Sequence, residues 1–129
     1  MMKIKAAFAT DDGITFVNRH FGDANYYDIY EFDNKEVQFV KRISNSVGEE
    51  ELHASNEKAK GVTDLLRQER VSVVVSRVFG PNIERIKKQF VCVIVKDIKL
   101  ENSIFKVIGN IETIKTECEK GDERQPLSL

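Results

Sequence analysis

Apolar residues in the first third of the chain fall into short segments separated by polar turns, a pattern typical of β-strands. The turn signals are Asp11-Asp12-Gly13 and Asp33-Asn34, and the second one predicts a hairpin between its flanking strands. We therefore predict four strands before the first helix, over residues 3–10, 14–17, 26–32 and 37–43.

The middle of the chain changes from a polar stretch to a helical spacing. Residues 44–55 are polar and contain three consecutive glutamates, which predicts a solvated loop. Apolar side chains then recur at intervals of three and four residues, so one stripe of a helix is expected to be buried over about residues 56–69. The stripe consists of Ala59, Val62, Leu65 and Leu66.

Two apolar runs, residues 71–76 and 90–95, predict strands that are covered on both faces. Gly80-Pro81 lies between them and predicts the first turn of a short helix. The order strand, helix, strand favours a parallel pair joined by a right-handed crossover.

The last third of the chain carries a weaker pattern. A helix is predicted over about residues 111–119, beginning after Asn110 and ending before Gly121. Residues 97–109 fit either a short helix or an irregular insertion. Residues 122–129 are predicted to form a flexible tail.

Together these elements predict an α/β fold with a mixed sheet, in which an antiparallel hairpin set extends a parallel β-α-β part. Ribonuclease H-like three-layer domains share this layout. The 129 residues and 14.8 kDa suit one domain, which we place at residues 1–121.

Neither the charge nor the hydropathy of the chain indicates a nucleic acid or a membrane as a partner. Twenty Lys and Arg against 21 Asp and Glu give a net charge of -1. No apolar run reaches the roughly 18 residues that cross a bilayer, and the early acids Asp11 and Asp12 argue against a signal peptide. We therefore expect a cytoplasmic protein.

Histidine and cysteine are scarce, with two of each. Cys92 and Cys118 lack the spacing of a zinc site or a disulfide framework, and two histidines cannot form a three-histidine centre. Cys92 lies within an apolar run and is expected to be an inert core thiol. His53 is expected on a loop surface, whereas a ligand role for Cys118 stays open.

Two loops contain candidate chemistry. His20 lies in a loop that contains one glycine, where an imidazole is available to solvent or to a metal. The turn at residues 76–81 leads from a strand into a helix N-terminus, a place that favours anions. Asp11 and Asp12 could instead serve a metal-dependent hydrolase, although the first strand offers no inward carboxylates for a two-metal centre.

Three segments in this order resemble the dinitrogenase iron-molybdenum cofactor biosynthesis family, whose members are small nitrogenase-accessory-factor-like proteins. The segments are F-A-T-D-D-G at residues 8–13, H-F-G-D-A with Y-Y-D-I-Y-E at 20–31, and F-G-P-N at 79–82. The resemblance covers about residues 3–96, and residues 110–121 resemble the closing helix of the family. It implies the ribonuclease H-like fold.

The resemblance also implies a non-enzymatic carrier for an anionic metal-sulfur cluster, either iron-molybdenum cofactor or a related iron-sulfur cluster, bound transiently through His20. The expected partner is a cluster donor or a client metalloprotein, and the chain itself is expected to be a monomer or a weak homodimer. A regulatory or interaction domain that binds no metal is the alternative. Further cluster contacts are expected from the same loop and turn, at Arg19, Phe21, Gly22, Asp23, Arg77, Gly80, Pro81 and Asn82.

This chain departs from the family pattern at two places. Ser76-Arg77 stands where members commonly have two glycines, and Asp23 stands where many carry a basic residue. Because Asp23 would repel an anionic cluster, we expect Arg77 to supply the positive charge that is missing at position 23.

Overall fold

The computed structural model describes residues 3–45 and 55–129. The described strands are β1 Ile4–Thr10, β2 Tyr26–Phe32, β3 Val37–Ser44, β4 Val73–Ser76, β5 Val91–Ile94 and β6 Leu127–Ser128. The described α-helices are α1 Ser55–Gln68, α2 Ile83–Ile86, α3 Leu100–Gly109 and α4 Ile111–Cys118. Short 3-10 turns lie at Phe21–Asp23 and Gly121–Glu123.

The strands form one mixed sheet in the order β3-β2-β1-β4-β5-β6. β1 pairs antiparallel with β2, and β2 pairs antiparallel with β3. β4 runs parallel to both β1 and β5, and β6 runs parallel to β5. The predicted α/β fold, with a hairpin set that extends a parallel part, is therefore confirmed, while the ribonuclease H-like label stays a prediction.

Each face of the sheet has its own hydrophobic core. Successive side chains of a strand point to opposite faces, so Ala7 and Ala9 of β1 join one core while Ala6 and Phe8 join the other. Helices α1 and α2 contribute to the first core, which we call the α1 face. Helices α3 and α4 contribute to the second, which we call the α3 face. The molecule therefore has three layers.

Residues 14–17, predicted as a strand, form only isolated bridges in the structure. Thr10 bridges to Phe16, and Thr15 bridges to Lys99. The side-chain hydroxyl of Thr10 donates to the carbonyl oxygen of Thr15 at 2.6 Å, and the turn around Asp12 therefore folds back too tightly for a ladder to develop. The segment is a tight loop, which corrects the prediction.

Residues 97–109, which the sequence left open, contain the helix α3. Leu100, Ser103 and Val107 are buried along one stripe of this helix. Asp97 accepts hydrogen bonds from Ser103 Oγ and Lys106 Nζ at 3.0 and 3.1 Å, so the helix is tied to the loop that precedes it.

The last eight residues also differ from the predicted flexible tail. Leu127–Ser128 adds the short strand β6 to the edge of the sheet, and the N–H of Leu129 donates to the carbonyl oxygen of Ile94 at 3.0 Å. Leu127 and Leu129 pack against the α3 face. Apolar burial and edge pairing together order this segment.

The predicted helix at residues 56–69 is confirmed as α1, with its bounds one residue earlier. The predicted surface position of His53 and the solvated glutamates at 49–51 lie outside the described residues. Within the described part of the chain, no helix has both the length and the apolar character needed to cross a membrane.

Candidate functional site

The candidate site lies where β1 and β4 end side by side. These two strands are parallel neighbours, and the chain leaves them toward opposite edges of the sheet, since β1 is followed by β2 and β4 is followed by β5. In open α/β sheets, such a switch point leaves a crevice beyond the carboxyl ends of the strands, where ligands bind. The loop that carries His20 follows β1, and the turn that carries Gly80 follows β4.

The His20 loop and the Gly80 turn are in direct contact. Phe21 donates its backbone N–H to the carbonyl oxygen of Val78 at 2.8 Å, and His20 forms an isolated parallel bridge with Val78. His20 itself is exposed. The sequence singled out the loop and the turn separately, and the structure shows the two in contact.

Gly80 is the residue on which the imidazole of His20 rests. A Cβ added at Gly80 would lie 2.5 Å from Nδ1 and 2.6 Å from Cε1 of His20. Gly80 also has a φ of +74°, a left-handed conformation that a side chain would strain. Glycine is therefore required at position 80 for two reasons: the turn needs a left-handed backbone, and the imidazole ring needs the space of a Cβ.

Aromatic packing fixes the loop below His20. The ring of Phe21 is fully buried and stacks on Phe79, with centroids 5.3 Å apart, and it also contacts Tyr27 at 5.0 Å. The hydroxyl of Tyr27 donates to the carbonyl oxygen of Phe21 at 2.7 Å. Burial raises the pKa of Tyr27, so this hydroxyl stays a donor at any physiological pH. Phe21, predicted as a cluster contact, is thus a core residue that positions the loop.

Asn45 is a second brace, and sequence reasoning missed it. It follows β3, and its side-chain amide donates to the carbonyl oxygens of Gly22 and Ala24 at 2.9 Å each. Nothing in the local sequence identifies this contact, because the partners belong to a loop that precedes β2. Asn45 and Tyr27 together hold the loop in one conformation.

Arg19 is committed to an ion pair and is not a free cation. Its Nη2 donates to both carboxylate oxygens of Asp11 at 3.0 and 2.9 Å, and to the backbone carbonyl oxygen of Asp23 at 3.1 Å. Asp11 also accepts the N–H of Asn25 at 2.9 Å. The Arg19 charge is therefore largely compensated, and the side chain of Asp23 is exposed beside it.

Arg77 has no ion-pair partner among the described residues, in a groove that also contains the charged Asp12. It lines an open groove of about 480 Å³ with Asp11, Asp12 and Arg19. Within the described part of the chain, Arg77 has no hydrogen bond and no ion pair. The guanidinium is therefore available to an anion in the groove.

Asp12 is occupied by its own turn. Its Oδ1 accepts the N–H groups of Ile14 and Thr15 at 2.8 Å each. These hydrogen bonds lower the pKa of Asp12 to about 2, so the carboxylate stays charged. Its role is to accept the backbone N–H groups of its own turn. Because Asp11 is paired with Arg19 as well, neither acid is a free metal ligand for a hydrolase.

The first turn of α2 offers fewer free donors than the sequence suggested. The helix has only four residues, and Ile83 and Glu84 donate their N–H groups to the carbonyl oxygens of Gly80 and Pro81 at 3.2 and 3.4 Å. Pro81 has no N–H, and Asn82 is half-buried. The first turn of α2 therefore adds little to this end of the sheet, where Arg77 shares its groove with Asp11, Asp12 and Arg19, and His20 is not among the residues that line that groove.

Ser76, the residue before Arg77, is fully buried at the end of β4. By strand alternation its side chain lies on the same face as Val74, beneath the His20 loop. Its Oγ has no hydrogen-bond partner among the described residues.

The described residues contain no group of three or more His, Cys, Asp or Glu that could hold a metal ion. Cys92 is buried, as predicted, and burial raises the pKa of its thiol to about 12. Cys118 packs against the α3 face, whereas Phe21 belongs to the α1 face. The His20 loop therefore supplies one imidazole, and no thiolate is placed beside it.

Comparisons with known proteins agree with this architecture. The sequence model of the dinitrogenase iron-molybdenum cofactor family matches residues 2–112. A crystal structure of a dinitrogenase-like protein from Methanocaldococcus jannaschii superposes with a TM-score of 0.62 at 19% identity, covering 85% of this chain and 92% of that one. An NMR structure of a dinitrogenase-like protein from Methanococcus jannaschii gives 0.57 at 20% identity, covering 91% and 92%. No curated protein sequence matches the chain.

Proposed function

The chain belongs to the dinitrogenase iron-molybdenum cofactor family, and from this premise we propose that it is a carrier of an anionic metal-sulfur cluster. The cargo is iron-molybdenum cofactor or a related iron-sulfur cluster, held transiently in the cytoplasm and passed to a client metalloprotein. The protein performs no reaction on it. His20 is the protein ligand.

The observation that carries the proposal is the exposed imidazole of His20 on a braced loop. The loop is held by Tyr27, Asn45 and the bond from Phe21 to Val78, so the ring needs little reorganisation to bind. A single imidazole is a donor for iron and leaves the other coordination positions to sulfide or exogenous groups. A carrier must release its cargo, and a single protein ligand makes that release easier than several ligands would.

Arg77 supplies the electrostatic contribution to cluster binding. Arg19 is paired with Asp11, and the exposed Asp23 beside it would repel an anion, whereas Arg77 is unpaired within the described residues. An anionic cluster at this end of the sheet is therefore drawn mainly by Arg77.

Anaerobic reconstitution with iron and sulfide, or with isolated cofactor, tests the proposal. The wild-type protein should acquire the visible absorbance of a bound cluster, and His20→Ala should lose most of it. His53→Ala is the matched control, since His53 is the other histidine of the chain, and it should bind like the wild type. Equal absorbance in all three proteins, or none in any, would contradict the carrier function.

The alternative function is a regulatory or interaction domain that binds no metal. The absence of a multi-ligand cluster among the described residues favours it. The same reconstitution separates the two, because a domain of this kind would gain no chromophore while it remained folded.

A further inference from the structure

A second groove lies on the α3 face of the sheet, away from the His20 loop. It has a volume of about 410 Å³ and is bounded by Ile14, Tyr30, Ile104 and Phe105, with Lys99 and Glu101 at its rim. We call it the α3 groove. Its walls come from β2, from α3 and from the loop after β1.

Tyr30, which lines this groove, belongs to a row of aromatic rings that runs from the core to the surface. Phe8 of β1 contacts Tyr30 of β2 edge to face at 5.4 Å, and Tyr30 contacts Phe39 of β3 at 5.3 Å. Phe8 is fully buried, whereas Phe39 is 52% exposed. The α3 face therefore stays apolar out to the edge strand β3, while α4 packs over β5 on the same face, nearer the opposite edge of the sheet.

The groove and a matching projection lie side by side. Phe105 is 69% exposed and Ile14 is 63% exposed, and both also form the groove wall. A second copy related by a twofold axis would insert its own Phe105 into this groove and receive Phe105 of the first copy in return. Such a knob beside a hole is self-complementary, which is the requirement of a symmetric contact.

The rim charges fit the same twofold arrangement. Lys99 and Glu101 are exposed and carry opposite charges, and neither forms an ion pair with the described residues of its own chain. In a symmetric contact, residue i meets residue j of the second copy and the reverse holds as well. Lys99 can therefore meet Glu101 of the second copy twice in one interface.

The available area suits a weak dimer. If a fully exposed large apolar side chain presents about 200 Å², then Phe105, Phe39 and Ile14 expose about 350 Å² of apolar surface per chain. Two copies would bury about 700 Å², which is the apolar share of an interface at the small end of the standard range. We propose that the α3 groove is the surface through which two copies of this chain form a reversible homodimer.

Analytical ultracentrifugation of the whole protein from micromolar to millimolar concentration tests the proposal. The mass of the wild type should rise from 14.8 kDa toward twice that value. Phe105→Glu should raise the dissociation constant by more than about tenfold, because a buried charge would replace the knob. A wild type that stays at 14.8 kDa throughout, or a Phe105→Glu protein that dimerises normally, would overturn the proposal.

Two isoleucines provide a matched pair for the location of the interface. Ile14 is 63% exposed and lines the α3 groove, while Ile98 is 62% exposed and lines the groove of Arg77. Ile14→Glu should impair dimerisation and Ile98→Glu should not. If Ile98→Glu impairs it and Ile14→Glu does not, or if both do so equally, the α3 groove is not the interface. Thermal unfolding at low concentration checks that each variant is folded.

A charge exchange tests the twofold geometry. Lys99→Glu and Glu101→Lys should each weaken the dimer, because each places like charges opposite one another. A mixture of the two variants should form a heterodimer of restored affinity, and the double variant should restore the homodimer. No recovery in either case would contradict the proposed pairing.

Discussion

Gly80 shows how one missing side chain can define a site. The residue combines a left-handed backbone with an imidazole that lies where a Cβ would be, and His20 cannot keep this position beside any other residue type without a shift. The sequence singled out both residues as candidates. It did not reveal their contact, because β2, β3, α1 and β4 separate them along the chain.

Replacement of Gly80 by alanine is expected to cost more than left-handed strain alone. Gly121 is the matched control, since it also has a positive φ of +60° but would meet no atom within 4 Å of an added Cβ. Gly121→Ala should lower the free energy of unfolding by about 1 kcal/mol, and Gly80→Ala by about 2–3 kcal/mol. Urea denaturation measures both.

The extra cost of Gly80→Ala should vanish in a His20→Ala background, because no ring would then meet the new methyl group. A double-mutant cycle reports this coupling. If Gly80→Ala costs no more than Gly121→Ala, the imidazole does not rest on Gly80 in solution.

Tyr27 and Asn45 are residues whose role follows only from the folded structure. Tyr27 lies in the strand predicted at residues 26–32, which is confirmed as β2, but its hydrogen bond to the Phe21 carbonyl depends on the loop conformation. Asn45 lies at the beginning of the polar stretch 44–55, directly after β3, where a solvated residue was expected. The sequence thus indicated His20 as a candidate ligand but did not indicate the residues that hold its loop.

Tyr27→Phe should therefore destabilise the protein by about 1–3 kcal/mol, since a buried carbonyl oxygen loses its partner while the ring packing is kept. Cluster affinity should fall with it, because the loop below His20 loosens. Tyr30→Phe is the control, as the Tyr30 ring lies on the α3 face, away from this loop. Equal unfolding free energies of Tyr27→Phe and the wild type would show that this bond does not hold the loop.

At the scale of elements, hydrophobic continuity was the strongest signal. The runs at residues 71–76 and 90–95 became β4 and β5, which lie inside the sheet, and the hairpin around Asp33-Asn34 became β2 and β3. Strand β6 was missed because two residues carry no periodicity. Its order comes from pairing with β5, a tertiary contact that is invisible to local pattern.

The C-terminal segment is joined to α4 by a buried carboxylate. Glu117 is 5% exposed, and its Oε2 accepts the N–H of Gln125 at 2.8 Å while Oε1 accepts from Lys120 Nζ at 3.0 Å. The bond from Gln125 and the charge of Lys120 lower the pKa of Glu117 below its ordinary value of 4.5. Glu117 therefore links β6 to the body of the protein through a charged group.

Because the pKa of Glu117 is lower in the folded protein, its contribution to stability is complete above pH 4.5. It is lost as the pH falls through the pKa of the folded state. Glu117→Gln should flatten the acid side of the stability curve relative to the wild type, and it should lower stability near neutral pH. Thermal unfolding across the acid range measures this. Parallel curves for the two proteins would contradict the assigned role.

At the scale of the whole molecule, the nearly balanced net charge does not show how positive and negative side chains are distributed around the candidate site. The net charge of -1 predicts no attraction to anions, but Arg77 stands unpaired among the described residues at the end of the sheet where the chain changes direction. The sequence predicted the role of Arg77 from the acid at position 23. The structure adds the pairing of Arg19 with Asp11, while Arg77 has no ion-pair partner among the described residues.

Arg77→Ala should weaken cluster binding on the order of fivefold at low salt, as expected for the loss of about 1 kcal/mol from an exposed ionic contact. The loss should shrink as salt rises, because exposed charges are screened. Lys3→Ala removes an exposed cation that precedes β1, at the opposite end of that strand from the site, and should have the smaller effect because of its distance. Cluster titrations at two salt concentrations compare them, and unchanged affinity in Arg77→Ala at low salt would exclude the role of Arg77.

The central claim is that His20 coordinates the cargo, and pulsed electron paramagnetic resonance tests it most directly. A paramagnetic cluster on protein labelled isotopically in histidine should show coupling to the labelled imidazole nitrogen. We predict that this coupling is present in the wild type and in His53→Ala and absent in His20→Ala. A bound cluster without nitrogen coupling in the wild type, or with coupling that persists in His20→Ala, would contradict the account.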